Sequence, residues 1–588
     1  MTLHAELLPG FAVLGKRRAC YCADLWAPED MGRVFFSVKS QIFLGALLFC
    51  ALSSCDKTSL KGDAPAAKKA IQQRPNARAD KAATQAEGVA PGKDSSNDAG
   101  APDRPSDTRE AHVVPVRFAE EASDAFREAF ASLSGWVSRH GGSVHAAVVD
   151  LQTDSWLLQA SAEQAVNVAS NAKLVTAAAA LELLGPNYSF STVLLGDIAA
   201  DGRANELLIR GGGAPDLSTA DLFRLVQVAK GRGLEQVGDI VVDQSRFSAA
   251  FEPPAYAQQP NEWAPFRANI SALALAGNTV TLNVLPTSLG QKARVWYDPP
   301  GVVEALGSVE TGPPAVGDRV GWSLSGDDRA RLRSTVSGSL GQGLGRRRYS
   351  RRLDNPRLSA GLALRALLEQ NGVRVSGAVR LGQRDGLSVL ALWKSRPLAE
   401  LVRKMGKESN NFYAEMLFVA LSAAASAESG EARGVAGWSS EKGAQVVRQY
   451  LEDKQLGADD VVVKNGSGLF DANRYSAQLL VGLLASLQDN PRIYQDYVSH
   501  LAMGATDGTL RKRMNHHPLA GRIRAKTGTL RACIALSGYL QRVGGKAPLA
   551  FSLIVRGISG RHSAIRQRVD EVVLAWAELV EEEADADE

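Results

Sequence analysis

The chain of 588 residues contains only five cysteines and eight histidines. Cys20, Cys22, Cys50 and Cys55 all precede the region that reads as folded, which leaves Cys533 without a partner and excludes a disulfide framework in the body of the protein. The histidines are scattered, and His516-His517 lacks a carboxylate or cysteine at ligand spacing, so no metal site is expected. No G-x-x-x-x-G-K-[ST] stretch occurs and Gly211-Gly212-Gly213 lacks the dinucleotide spacing; those glycines read as hairpin turns, and no cofactor is expected. A net charge of +4 without a basic cluster interleaved with aromatics argues against nucleic acid as a partner. The basic run Gly345-Arg346-Arg347-Arg348-Tyr349-Ser350-Arg351-Arg352 is the exception; a solvated loop is expected there, with attraction of an anionic polymer as the alternative.

Long apolar runs are also missing. Ile42 to Ala51, preceded by Arg33 and Lys39, is too short for an ordinary membrane span and has the form of a signal peptide, with Met31 as a candidate start. It ends in Leu52-Ser53-Ser54-Cys55, which resembles a bacterial lipobox, so residues 1–55 read as a signal region with Cys55 as the lipidation site; cleavage of a plain secretory signal is the alternative. Residues 56–115 are rich in Ala, Lys, Asp, Pro, Gln and Ser and cannot bury enough apolar surface to order. A tether of about 60 residues spans about 40 Å on average, and an anchor with a tether suits the cell envelope.

The segment that organises the rest is Val168 to Gly185, an Ala/Leu-rich run that reads as a buried helix ending at glycine. Ser170 and Lys173 share its first turn, and their i, i+3 spacing puts the amine within reach of the hydroxyl. A serine needs a neighbour to take its proton, and a lysine can do so if burial depresses its pKa. S-x-x-K also occurs at Ser54/Lys57 and Ser439/Lys442, and at Ser439 a helix cap is the better reading. Ser170 differs in being followed by Ser409-Asn410-Asn411 and Lys526-Thr527-Gly528-Thr529, an ordered triple that resembles the one in penicillin-binding proteins and class A β-lactamases.

Acyl transfer needs a nucleophile, a proton carrier, an oxyanion site and a grip on substrate. Ser170 and Lys173 supply the first pair. Ser409 and Asn411 can pass a proton to the leaving amine and hydrogen-bond the substrate amide, although Ser409 could simply cap a helix. Lys526 and Thr527 suit a carboxylate, and Gly528 leaves the strand edge open to a ligand. The N–H groups of Ser170 and Thr529 would form the oxyanion hole.

A helix from Glu120 to His140, strands Val144–Asp150 and Ser155–Ala160, and the Ser170 helix place a first catalytic part at 116–190. The interval to Ser409 is far longer than one fold needs, so residues 191–355, rich in strands and turns, read as an insertion. The second catalytic part, 356–581, returns with a helix at Leu358–Gln370. It continues through a helix that Ser409 is able to cap, a three-strand meander that includes Lys526 and a last helix from His562 to Val580, before an acidic tail at 582–588.

With these segments the sequence resembles the D-alanyl-D-alanine carboxypeptidase/endopeptidases of the class C low-molecular-mass penicillin-binding proteins, from about residue 120 to 580. Ser409-Asn410-Asn411-Phe412-Tyr413-Ala414-Glu415-Met416-Leu417 resembles that family's S-N-N-x-x-A-E-M-L, Asn465-Gly466-Ser467-Gly468-Leu469 its D-G-S-G-L, and Asp507-Gly508-Thr509-Leu510 its D-G-T-L. Asn465 departs from the usual aspartate, and Gly213-Ala214-Pro215-Asp216-Leu217 follows G-D-P-T-L only loosely. The resemblance implies an α/β, β-lactamase/transpeptidase-like catalytic domain, an antiparallel sheet with flanking helices, interrupted by a large β-rich insertion of two domains. It also implies a periplasmic, penicillin-sensitive serine peptidase that hydrolyses D-Ala-D-Ala or D-Ala cross-links of peptidoglycan stem peptides and takes β-lactams as covalent inhibitors. The alternatives are a non-catalytic peptidoglycan-binding envelope protein and a β-lactamase, the latter disfavoured by the insertion and by the lack of an E-x-x-L-N loop.

Overall fold

In the computed structural model, residues 116–586 are described, apart from 249, 327–331, 429–436 and 458. The expected signal region, Cys55 and the 56–115 tether lie outside the described residues.

Seven antiparallel strands form the central sheet, in the spatial order Arg117–Phe118, Ser155–Ala160, Ser143–Asp150, Leu549–Arg556, Cys533–Leu540, Ile523–Leu530 and Ala502–Met503. The amino-terminal hairpin is therefore joined to the carboxy-terminal meander through the pairing of Ser143–Asp150 with Leu549–Arg556. Strand alternation sends Ala146 and Val148 to one apolar core and Ala147 and Val149 to the other, so the sheet is covered on both faces.

One cover is the helix pair Asp124–Arg139 and His562–Ala586. Ser123 caps the first helix by accepting from Phe126 N at 3.2 Å, and Phe126 stacks on Trp576 at 4.7 Å. The second helix runs through to Ala586, into the stretch expected as a free acidic tail. Behind the other face lies Ala172–Leu183, buried on every side from Ala172 to Leu181, which is why its composition shows no polar stripe. It packs with Asn411–Ala420 and Ala477–Gln488, and the chain leaves it at Gly185 in the left-handed region, φ +87°.

The region between Ser170 and Ser409 builds separate sheets. A six-stranded sheet contains Ser191–Leu195, Arg203–Arg210, Gln236–Asp243, Arg374–Val375, Val379–Leu381 and Val389–Lys394. The last three pair with strands before residue 244, so the inserted sheet reaches Lys394, beyond the boundary expected at 355. Helix Ser359–Gln370 shares this sheet's core instead of returning to the catalytic layer. Its Leu/Ala pattern is equally compatible with either core, so periodicity could not assign it. The expected strand-rich insertion also holds a helix, Thr219–Gly231, which the S-x-x-D capping box at Ser218/Asp221 and apolar Leu222, Leu225, Val226 and Ala229 announce.

Nested within these strands, Thr279–Leu285, Arg294–Asp298 and Arg347–Arg352 form a three-stranded sheet. Its inner face packs through Leu282 and Val284 against Val336 and Leu340 of a four-stranded sheet. The basic run expected as a loop is thus largely a strand, and Arg352 is buried, donating to Glu262 O, Pro260 O and Asp354. Among the described residues no helix is long and apolar enough to cross a membrane, and no cluster of three or more His, Cys, Asp or Glu side chains could hold a metal.

Candidate active site

Ser170 lies on a short 3-10 turn, Ala169–Asn171, that leads directly into helix Ala172–Leu183. The Lys526 strand presses against this turn: a Cβ at Gly528 would lie 2.7 Å from Val168 O and 3.2 Å from Ala169 Cβ. Gly528 is therefore required for the approach of strand to turn, a packing reason that differs from the open ligand edge expected from sequence.

Lys173 is fully buried, with Nζ 2.9 Å from Ser170 Oγ, 2.8 Å from Asn411 Oδ1 and 2.6 Å from Ser467 O. Burial, reinforced by the charge of Lys526 and opposed by Glu415, holds its amine well below the ordinary lysine range. The geometry accommodates the neutral form. Two N–H bonds satisfy the Asn411 and Ser467 oxygens, which can only accept, and the lone pair remains for the Ser170 hydroxyl proton.

Asn411 begins helix Asn411–Ala420, and its Nδ2 donates to Phe266 O at 3.0 Å, which turns Oδ1 towards Lys173. Ser409 is not the cap of this helix; Asn410 is, accepting from Tyr413 N at 3.1 Å. Ser409 instead sits at φ +52°, strained for a residue with a Cβ, and its Oγ accepts from Lys526 Nζ at 2.8 Å. Lys526 is also fully buried and donates to Thr527 O at 2.9 Å, and burial lowers its titration to about 7. Thr527 Oγ1 is 2.9 Å from Thr509 Oγ1, while Thr529 is exposed and accepts from Arg566 at 3.3 Å.

The structure thus brings Ser170, Lys173 and Asn411 into one hydrogen-bonded group and Ser409, Lys526 and Thr527 into another, with the two lysines in electrostatic contact. Residues whose parts the sequence did not reveal complete it. Glu415, fully buried on an otherwise apolar helix face, accepts from Gly466 N at 3.1 Å and Ser467 N at 3.0 Å, and so fixes the carbonyl that holds Lys173. A carboxylate inside Asn-Phe-Tyr-Ala-Glu-Met-Leu-Phe was the available signal. Phe266 belongs to the inserted region, so its carbonyl could not be found from motif spacing. Ser439 does cap its helix, accepting from Lys442 N at 3.2 Å.

Within this fold a buried lysine, not a histidine, stands beside the serine hydroxyl, an arrangement that suits a serine hydrolase. The chain belongs to the D-Ala-D-Ala carboxypeptidase 3 (S13) family, which matches residues 138–578. A D-alanyl-D-alanine carboxypeptidase of Actinomadura sp. is 31% identical over 440 residues, 70% of this chain and 77% of that protein. The D-alanyl-D-alanine carboxypeptidase DacB of Haemophilus influenzae is 26% identical over 415 residues, 66% of this chain and 80% of the relative. The crystal structure of penicillin binding protein 4 from Haemophilus influenzae shares the fold with a TM-score of 0.61 at 21% identity, covering 76% of this chain and 99% of that one. The protein is accordingly a serine peptidase of the D-Ala-D-Ala carboxypeptidase class.

Proposed function

We propose that Ser170 carries the acyl group in this reaction and that Lys173 is its base. The observation that supports this most directly is the environment of Lys173 Nζ, where two pure acceptors take both N–H bonds of a neutral amine and leave its lone pair facing Ser170 Oγ 2.9 Å away. Ser170 Oγ adds to the carbonyl of the penultimate D-Ala as its proton passes to Lys173. The oxyanion is met by the N–H groups of Ser170 and Thr529, donors worth about 3–4 kcal/mol each in other enzymes. As the C–N bond breaks, Ser409 relays a proton to the departing amine, and water then releases the acyl group and restores the Ser170 hydroxyl. Lys526 and Thr527 take the terminal carboxylate, and Asn411 bonds the substrate amide.

Substrates of this reading are peptidoglycan stem peptides or their D-Ala cross-links, and a β-lactam enters as a covalent inhibitor; the Haemophilus protein has been solved in complex with one. The chain would be delivered by its signal region, lipidated at Cys55 and tethered through 56–115 at a periplasmic membrane surface. The lipobox-like Leu52-Ser53-Ser54-Cys55 supports that placement. We likewise assign residues 116–190 and the chain from about 398 onward to the catalytic domain, with the intervening sheets as inserted domains.

The test is intact-mass spectrometry of the chain from near Val114 with benzylpenicillin, beside Ser170→Ala. A one-to-one adduct absent from the variant is expected; a wild type that never acylates overturns the assignment.

A further inference from the structure

The outer face of the three-stranded inserted sheet lines a cleft of about 620 Å³ that shares no residue with the site around Ser170. Strand register explains its chemistry. Arg348, Asn283 and Trp296 are direct cross-strand partners and form one row over the three strands, and Arg346 lies two residues along from Arg348 on the same face. The intervening residues Leu282, Val284, Val295 and Tyr349 point the other way into the apolar core. Helix Ser359–Gln370 supplies the opposite wall through Leu367 and Gln370.

Three properties single this row out. The Trp296 indole is 39% exposed, although a tryptophan without a ligand or partner is normally covered. Arg346 and Arg348 are exposed and make no ion pair among the described residues, unlike Arg347, which reaches Asp318, or Arg352, which reaches Asp354. The one carboxylate lining the cleft, Asp298, accepts from Thr219 Oγ1 at 2.6 Å and pairs with neither Arg346 nor Arg348.

A flat apolar ring beside two unpaired guanidiniums matches a pyranose ring that carries a carboxylate: the indole covers the C–H face of the sugar and arginine takes the carboxylate in a two-pronged bond, while Asn283, buried at 4% exposure, backs the row from within the sheet. The cleft volume lies in the range that holds ligands of a few rings. We infer that this cleft is a second peptidoglycan site, which holds a carboxylate-bearing glycan strand while the Ser170 site works on its peptides. The inference rests on the peptidoglycan reading of the protein but not on Ser170 chemistry. Two groups on such a strand could supply the carboxylate, the lactyl ether of a bare muramic acid or the stem peptide.

The test is cosedimentation of the full chain carrying Ser170→Ala with insoluble peptidoglycan, and with glycan strands stripped of peptides, at low and moderate salt. Trp296→Ala and the pair Arg346→Gln/Arg348→Gln are each expected to weaken retention five- to tenfold, with Trp296→Phe retaining most of it and added salt eroding the arginine contribution. Retention on stripped strands that remains sensitive to both variants assigns the lactyl carboxylate; sensitivity confined to intact peptidoglycan assigns the stem peptide. Variants that sediment as the parent does overturn the inference. Benzylpenicillin acylation of the same variants with Ser170 intact is expected to be unchanged, which shows that they are folded. A wild-type chain that never acylates, while its Ser170→Ala form binds peptidoglycan, would count against Ser170 alone.

Discussion

Replacing Lys526 with methionine sets the electrostatics of the site against its chemistry. Lys526 is fully buried, and burial pulls its titration from 10.5 to about 7. Below pH 7 the native state carries a desolvated ammonium that the unfolded chain keeps in water, a difference of about 4–5 kcal/mol at about 1.4 kcal/mol per pH unit. The sign follows from proton counting. Between pH 7 and 10.5 the unfolded chain binds more protons than the native one, so wild-type stability rises with pH; the penalty is complete below 7 and gone above 10.5. Methionine keeps the length of the side chain but gives up the bonds to Ser409 Oγ and Thr527 O, about 1 kcal/mol each. Lys526→Met is therefore expected to exceed wild type by about 2–3 kcal/mol at pH 6, with the gap closing near pH 9. Urea unfolding at pH 6, 8 and 9 reads this directly, and a gap that stays constant refutes the argument. Acylation by benzylpenicillin should fall roughly 10- to 150-fold in the same variant, for loss of a charge-assisted bond of about 1.5–3 kcal/mol. An unchanged rate would remove Lys526 from carboxylate recognition.

Glu415→Gln keeps the shape of a buried group that accepts from both Gly466 N and Ser467 N, but glutamine has only one oxygen for two donors; a loss of about 1.5–3 kcal/mol in unfolding stability is expected. Removing this negative charge also lowers the pKa of Lys173, so the acid limb of the acylation rate should move to lower pH, and a limb that stays in place would argue against Lys173 as base. Asn465→Asp would set a buried carboxylate against Pro254 O and Leu469 O, which Nδ2 now satisfies at 3.0 and 3.3 Å; thermal unfolding should report a loss of about 2–4 kcal/mol, and full stability would mean the loop rearranges. Cys533 is buried with Sγ 3.1 Å from Asn167 O, and burial pushes its thiol up to about 12, so in the chain from near Val114 a thiol reagent should react only after denaturation.

The elements of the central sheet were legible because local pattern and tertiary role coincide in them. Ser155–Ala160 stands in the structure at the bounds that alternation and the preceding turn suggest, and the meander around Lys526 is bounded by its own glycines. Helix Ser359–Gln370 shows the limit: its apolar face is plain in sequence, but which of two cores receives it depends on strands more than 100 positions earlier. Proximity of Ser170 to Lys173 follows from helical spacing alone, whereas that of Lys526 to Ser409 needed the resemblance, since 117 positions separate them. Backbone acceptors such as Ser467 O and Phe266 O have no sequence signature, because any residue offers a carbonyl. Capping by Ser409 stayed open in the sequence for a related reason: Ser and Asn both favour that position, and it is the bond from Tyr413 N that assigns it to Asn410.

Two buried lysines in one site make recognition and activation interdependent. The charge on Lys526 is, after burial, among the causes that lower the pKa of Lys173, yet Lys526 itself titrates near 7 and loses that charge in alkali. A bound carboxylate stabilises the Lys526 ammonium and so raises its pKa, which preserves the field on Lys173 at the pH where it would otherwise fade. An inhibitor without the carboxylate should then lose more than an ion pair. With the methyl ester of benzylpenicillin, Lys526 is largely neutral at pH 8, the amine of Lys173 becomes more basic, and the acylation step itself slows. The expected result is a rate profile whose rise with pH is shallower for the ester than for the acid, in addition to weaker binding. If the two profiles have the same shape and differ only by a constant factor, the lysines act independently, and burial alone must be what lowers the pKa of Lys173.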